Sequence, residues 1–197
     1  MKTIFSEQHR LRDAKTELYG GELVQPFERP SRADMVIEAV RTSELGPVEA
    51  PETFSLEPVL RIHDADFVTF LENAWEEWRQ TGYAGEAMAS VWPARRMQYR
   101  APRFIEGKMG YYALAAETSI TEGTWAAALS SKDVALTGAR ALAEGEQGIF
   151  SLCRPPGHHA ARDMFGGYCF LNNAAIAAQY LLDDGAERVA ILDIDFH

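Results

Sequence analysis

Residues 148–197 decide the fold: Gly148-Ile149-Phe150-Ser151-Leu152, then Arg154-Pro155-Pro156-Gly157-His158-His159, and at the far end Val189-Ala190-Ile191-Leu192-Asp193-Ile194-Asp195-Phe196-His197. The first run reads as a short apolar strand, 170–182 as a helix closed by Gly185, and 188–194 as a second buried strand. Strand, helix, strand in that order implies a right-handed parallel crossover. The expected fold class is therefore α/β, a parallel sheet with helices on both faces. Ligands of such sheets collect beyond the carboxyl ends of the strands, and both strands run into polar clusters there.

Working outward, residues 2–5 read as a first strand, and Ser31 can cap a helix through about residue 45, with Met35, Ile37, Ala39 and Val40 as its apolar contacts. A stronger helix opens at Asp64: Phe67, Phe70, Leu71, Ala74, Trp75 and Trp78 recur at three- and four-residue spacing and predict a buried aromatic face. Residues 82–109 break the rhythm with Trp92-Pro93, Arg95-Arg96, Tyr99-Arg100 and Pro102-Arg103, the mark of a functional loop or an interface. From 111 to 143 the pattern is helical and rich in Ala, with a break at Glu122-Gly123.

Composition narrows the function classes. The 197 residues are 47% hydrophobic and 24% charged, globular proportions for one domain spanning 1–197. A formal net charge of −10 disfavours nucleic acid, whose binding depends on Lys and Arg neutralising phosphates, and favours cationic partners. No apolar run reaches the roughly 18 residues of a membrane span, and Glu7 interrupts the N-terminus before a signal-type apolar region develops, so a cytoplasmic location is expected. The two cysteines, Cys153 and Cys169, form no C-x-x-C pair and read as buried free thiols.

In an extended segment Asp193, Asp195 and His197 point one way while Ile194 and Phe196 point the other. Carboxylates side by side at the end of a buried strand repel, so a cation or a proton has to offset them. Carboxylate oxygen with imidazole nitrogen suits Zn²⁺ or a similar divalent ion. His158 and His159, delivered by two prolines and Gly157, could be ligands of such an ion or the acid and base that move protons beside it, and spacing does not choose between them.

Taken together, Arg154-Pro155-Pro156-Gly157-His158-His159, Gly166-Gly167-Tyr168-Cys169-Phe170-Leu171-Asn172-Asn173 and Asp193-Ile194-Asp195-Phe196-His197 resemble the metal-dependent deacetylases, a family that includes histone deacetylases and acetylpolyamine amidohydrolases. The stretch Lys15-Thr16-Glu17-Leu18-Tyr19-Gly20-Gly21-Glu22 and the insertion before Glu106-Gly107-Lys108-Met109-Gly110-Tyr111-Tyr112 are similar to the amidohydrolases in particular. The resemblance implies the arginase/deacetylase fold and zinc-dependent removal of acetyl groups from acetylated polyamines. Acetyl-lysine protein deacetylation and a non-catalytic polyamine-binding fragment are the alternatives.

Carried over position by position, the resemblance makes Asp195 and His197 zinc ligands and His159 the general base. It makes His158 the base's charged partner, oriented by Asp193, and places a structural K⁺ on the segment of Asp193, Asp195 and His197. Gly167 would accept the substrate amide N–H through its carbonyl, and Tyr168 would line a tunnel for a methylene chain. Glu17, Glu106 and Glu117, with Tyr19 alongside, would lie near the mouth and recognise a distal ammonium. The 82–109 insertion would meet a second subunit, giving a homodimer. The family's third zinc ligand, an Asp, and its carbonyl-polarising Tyr fall past His197 in this comparison, so the chain is expected to be an N-terminal portion whose sheet has an unfilled edge.

Overall fold

The computed structural model describes residues 1–94, 96 and 98–196. Its centre is a parallel sheet in which β1 (Lys2–Ile4) lies between β4 (Val48–Glu49) and β5 (Ile149–Ser151), with Thr3 opposite both Val48 and Phe150. Pairing partners in a parallel register point to the same face. Phe5, Val48, Phe150 and Leu152 accordingly share one face and pack on Ala33, Ile37 and Val40 of α1 (Pro30–Thr42). Ile149 and Ser151 face the other way, onto α5 (Thr124–Ala143). A Cβ at Gly138 of α5 would lie 2.2 Å from Ser151 Oγ, so that helix rests directly on the strand. The sheet is thus covered on both faces, as expected of the α/β class. A two-stranded antiparallel hairpin, β2 (Glu17–Tyr19) and β3 (Glu22–Val24), stands apart from it.

The larger core lies around α3 (Ala65–Gln80), which buries Phe67, Val68, Phe70, Leu71 and Ala74 and holds Trp75 and Trp78 half-buried at its edge, as its periodicity predicts. Phe70 stacks on Tyr112 at 4.6 Å between ring centroids, and Phe165 stacks on Phe170 at 5.9 Å. The short α2 (Glu57–Leu60) leads into α3, and α6 (Asn173–Asp183) packs beside α5. Asn172 caps α6 by accepting the Ala175 N–H at 3.1 Å, and Gly185, at φ 107°, lies just past its end.

Several expectations are corrected. The first helix begins at Pro30, not at a Ser31 cap, and Met35 and Ala39 are exposed. Each lies two residues from buried Ile37, on the opposite side of a helix with 3.6 residues per turn. The stretch 111–143 is not one broken helix: α4 (Ile105–Tyr112) ends before an irregular segment, 113–123, that precedes α5. Backbone pairing wins over helix propensity there, since Leu114 N–H donates to Phe165 C=O at 2.7 Å, and Ala87 and Ile120 exchange bonds of 3.0 and 2.8 Å. α4 also takes up the last residues of the irregular 82–109 stretch.

The second buried strand does not form: 188–196 contains no strand, and Leu192, Ile194 and Phe196 are each more than 85% exposed. β5 is hydrogen-bonded to β1 alone among the described strands, so the 188–196 run is not paired with the outer edge of β5 and, without ladder bonds, is no strand. Of the two free thiols, Cys169 is buried and Cys153 half-buried. No helix among the described residues is long and apolar enough to cross a membrane.

The helix faces are testable by urea denaturation. Phe67→Ala is expected to cost about 3–5 kcal/mol by removing a fully buried ring. Met35→Gln, on the exposed side of α1, should change stability by less than about 0.5 kcal/mol.

Candidate active site

The site begins where β5 ends. Arg154 is 4% exposed, so its charge needs a partner. Its Nε and Nη2 donate to the two oxygens of Glu28 at 2.6 and 3.0 Å, and its Nη1 donates to the His9 carbonyl. The strand exit is thereby tied to two distant parts of the chain. The Pro155 carbonyl then accepts from Ser131 Oγ at 2.7 Å and Asn173 Nδ2 at 3.2 Å. Gly157 presses so closely on the start of α6 that an added Cβ would lie 2.5 Å from Asn173 N and 2.7 Å from Leu171 O. A side chain there would push the following residues out of place.

Those following residues are His158 and His159, whose rings lie 4.2 Å apart. Nδ1 of His158 is 2.9 Å from Asp193 Oδ2 and carries the proton if it donates to that carboxylate, leaving Nε2 to face the cleft. The Asp195 backbone N–H donates to Asp193 Oδ1 at 3.0 Å. That bond first, and His158 second, hold the Asp193 carboxyl below the usual carboxylate range.

The opposite wall is a tight turn, Gly166 to Cys169, closed by reciprocal backbone bonds of 3.0 and 2.9 Å. Its two central residues, Gly167 and Tyr168, have φ of 53° and 64°, the left-handed pair such a turn requires. A Cβ on Gly167 would lie 2.3 Å from the His159 ring, so the bare backbone lets the turn and the imidazole touch. Gly167 N–H donates to Glu117 Oε1 at 3.2 Å and Tyr168 N–H to Thr118 Oγ1 at 2.9 Å. The Tyr168 hydroxyl donates to Glu17 Oε1 at 2.7 Å, while Glu17 Oε2 accepts the Phe27 N–H at 3.0 Å. Burial, and then that bond to Glu17, push the Tyr168 hydroxyl well above its ordinary range.

These groups surround a cleft of about 1220 Å³ that brings together Glu17, Tyr19, Glu117, His158, His159, Gly167, Tyr168 and Asp195. Glu17 is 3% exposed and bonded through both oxygens, so it sits within the wall. Tyr19 stands exposed and edge-on to Phe27, with ring centroids 5.3 Å apart. Asp193 supports the cleft from behind His158. Glu106 is not brought to it: α4 carries this residue to a separate hollow of about 540 Å³ shared with Glu77, Arg103 and Lys108. His197, expected to be both a zinc and a potassium ligand, lies outside the described residues. Among the described residues no three His, Cys, Asp or Glu side chains are grouped to hold a metal, and Asp195 is the expected ligand that reaches the cleft.

Sequence reasoning named Arg154 but missed its use. Its partner Glu28 is 126 positions away and carries no local signal. Thr118, which holds the Tyr168 amide, was missed for the same reason.

A parallel sheet opening at its strand ends onto a paired-histidine cleft defines the class: the chain belongs to the histone deacetylase family, whose domain model matches residues 26–197. Acetylpolyamine amidohydrolase of Mycoplana ramosa is 59% identical over all 197 residues, and acetylpolyamine amidohydrolase 2 of Pseudomonas aeruginosa is 54% identical over the same length. The chain spans 58% and 57% of these two relatives. The crystal structure of acetylpolyamine aminohydrolase from Burkholderia pseudomallei superposes with a TM-score of 0.86 at 34% identity, covering 93% of this chain and 53% of that one. The HDA15 HD domain shares the fold, with a TM-score of 0.68 at 19% identity over 95% of this chain and 44% of its own.

The Arg154–Glu28 pair can be checked by a double-mutant cycle. Arg154→Met alone should cost about 3–5 kcal/mol in urea denaturation, because it strands a largely buried carboxylate. Combining it with Glu28→Gln should recover part of that loss, a coupling of about 0.5–3 kcal/mol.

Proposed function

We propose that the whole protein to which this chain belongs hydrolyses the acetyl amide of acetylated polyamines. The observation that carries this reading is the cleft itself, where an oriented His158–Asp193 pair and His159 face a wall holding Glu17, Glu117 and Tyr168. The names of the relatives point to the same substrate class. His159 accepts a proton from the attacking water and returns it to the amine nitrogen as the C–N bond breaks, giving acetate and the free amine. His158, with its ring oriented by Asp193, places the positive charge of its imidazolium form beside the developing oxyanion. The Gly167 carbonyl accepts the substrate amide N–H, and the Tyr168 ring flanks the methylene chain. The carboxylates of Glu17 and Glu117, with Tyr19 at the rim, set a negative potential that attracts the remote ammonium.

Asp195 at the cleft, with His197 beyond the described residues, is a donor set of carboxylate oxygen and imidazole nitrogen that suits Zn²⁺. When bound, zinc supplies polarisation of the amide carbonyl and a more acidic water. The same segment, with Asp193, suits a structural K⁺. We also read 1–197 as part of a single deacetylase-type domain, with 82–109 at the interface of a homodimer. A cytoplasmic site of action accords with the two free thiols.

His159→Ala in the zinc-supplemented whole protein should lower kcat for N-acetylputrescine by about 10²–10⁴-fold, read by amine release. The wild type should turn over N-acetylputrescine with a higher kcat/KM than an acetyl-lysine peptide, and a peptide preference would overturn the substrate assignment. Size-exclusion chromatography with light scattering should give twice the monomer mass, whereas a fully active monomer would remove the interface from the reading.

A further inference from the structure

His63, which none of the chemistry above uses, sits between α2 and α3 and is 1% exposed, with its ring 5.5 Å from that of Phe67. An imidazole so buried needs partners for both nitrogens. It finds them on two stretches distant in sequence. The backbone N–H of Asn172 donates to Nε2 at 2.9 Å, and Nδ1 lies 3.3 Å from the carbonyl of Arg162. A backbone amide can only donate, so Nε2 must offer a lone pair, and Nδ1 carries the hydrogen that reaches Arg162. The ring is therefore neutral and in one tautomer, and burial acts in the same direction, lowering its pKa.

The two stretches it joins are the ends of one loop. Arg162 follows His159 by three residues, and Asn172 follows Tyr168 by four. Between them lies the turn whose Gly167 rests against the His159 ring. The neck of this loop is closed by three further bonds. Asn172 Nδ2 donates to Ala160 C=O at 3.0 Å, the Asp64 N–H donates to Arg162 C=O at 3.0 Å, and Arg162 Nη1 donates to Asp64 Oδ1 at 3.2 Å. In the neck as described, His63 is the side chain that bonds to the main chain of both ends.

We infer that His63 is a positioning residue, a neutral clamp that sets the gap between the His159 imidazole and the Gly167 carbonyl. It touches no reacting atom. It acts by fixing where the ends of the loop lie, and so how the proton acceptor and the amide acceptor face one substrate. A misplacement of about 1 Å at such a distance from the chemistry can cost about 100-fold in rate. The inference rests on the proposed amide hydrolysis for its kinetic consequence, while the hydrogen-bond pattern stands apart from it.

Two variants and one spectroscopic measurement test it in the zinc-supplemented whole protein. His63→Phe keeps the bulk and removes both bonds, whereas His63→Gln offers one amide oxygen to Asn172 and one N–H to Arg162. With N-acetylputrescine, His63→Phe should lose roughly 10–100-fold in kcat, with KM within about threefold of wild type. His63→Gln should recover to within about fivefold of wild type. A His63→Phe enzyme with wild-type kcat, or a loss that Gln does not relieve, would overturn the inference. Should His63→Phe not fold, ¹⁵N correlation spectra of the wild type decide: the Nδ1–H tautomer at His63 is required, and the Nε2–H tautomer overturns the clamp. If the wild type releases no amine from N-acetylputrescine, the proposed function fails, and the tautomer together with slow exchange of the Asn172 amide proton judges the clamp independently.

Discussion

The architecture turns on what happens to one buried guanidinium. Arg154 stands where β5 gives way to the active-site loop, and its charge is acceptable there only because Glu28 meets it with both oxygens and the His9 carbonyl takes a further hydrogen. That requirement ties the 3₁₀ turn Glu7–Leu11 and the residues just before α1 to the strand exit. The direction in which His158 and His159 leave the sheet follows from it. Gly157 then lets the chain turn against α6 with no side chain in the way.

Close approach of bare backbone is the second device, used where two chemical groups must nearly touch. Gly167 against His159 joins the histidine side of the cleft to the wall of the Gly166–Cys169 turn, and Tyr168 accepts a left-handed conformation to continue the turn. Such a backbone is uncommon for a bulky residue, and its hydroxyl bond to Glu17 and amide bond to Thr118 hold it there.

What could be read from the sequence followed from local pattern. The aromatic stripe of α3 fell at helical spacing and is buried, and the strand 149–151 emerged from an apolar run beside Gly148. The paired histidines, the Gly-Gly-Tyr turn and Asp195 stood out as chemistry in the sequence and meet at one cleft. What could not be read depends on partners far away. The 188–194 run has strand composition but pairs with no strand among the described residues, Met35 and Ala39 are apolar yet on the wrong side of α1, and 113–123 gives up helix for pairing with Phe165 and Ala87. Glu106 looked equivalent to Glu17 and Glu117 as a carboxylate, but α4 carries it to another hollow.

The double duty of Glu17 has a bearing on redesign. One of its oxygens receives the phenol of the cleft wall, and the other receives the main-chain amide of Phe27, just past the β2–β3 hairpin. Reshaping the cleft by exchanging this carboxylate would therefore loosen a piece of scaffold along with the wall, and a selection for a differently shaped cleft would meet a folding penalty at its first step. Tyr19, whose exposed ring meets Phe27 edge-on, offers that selection a freer starting point.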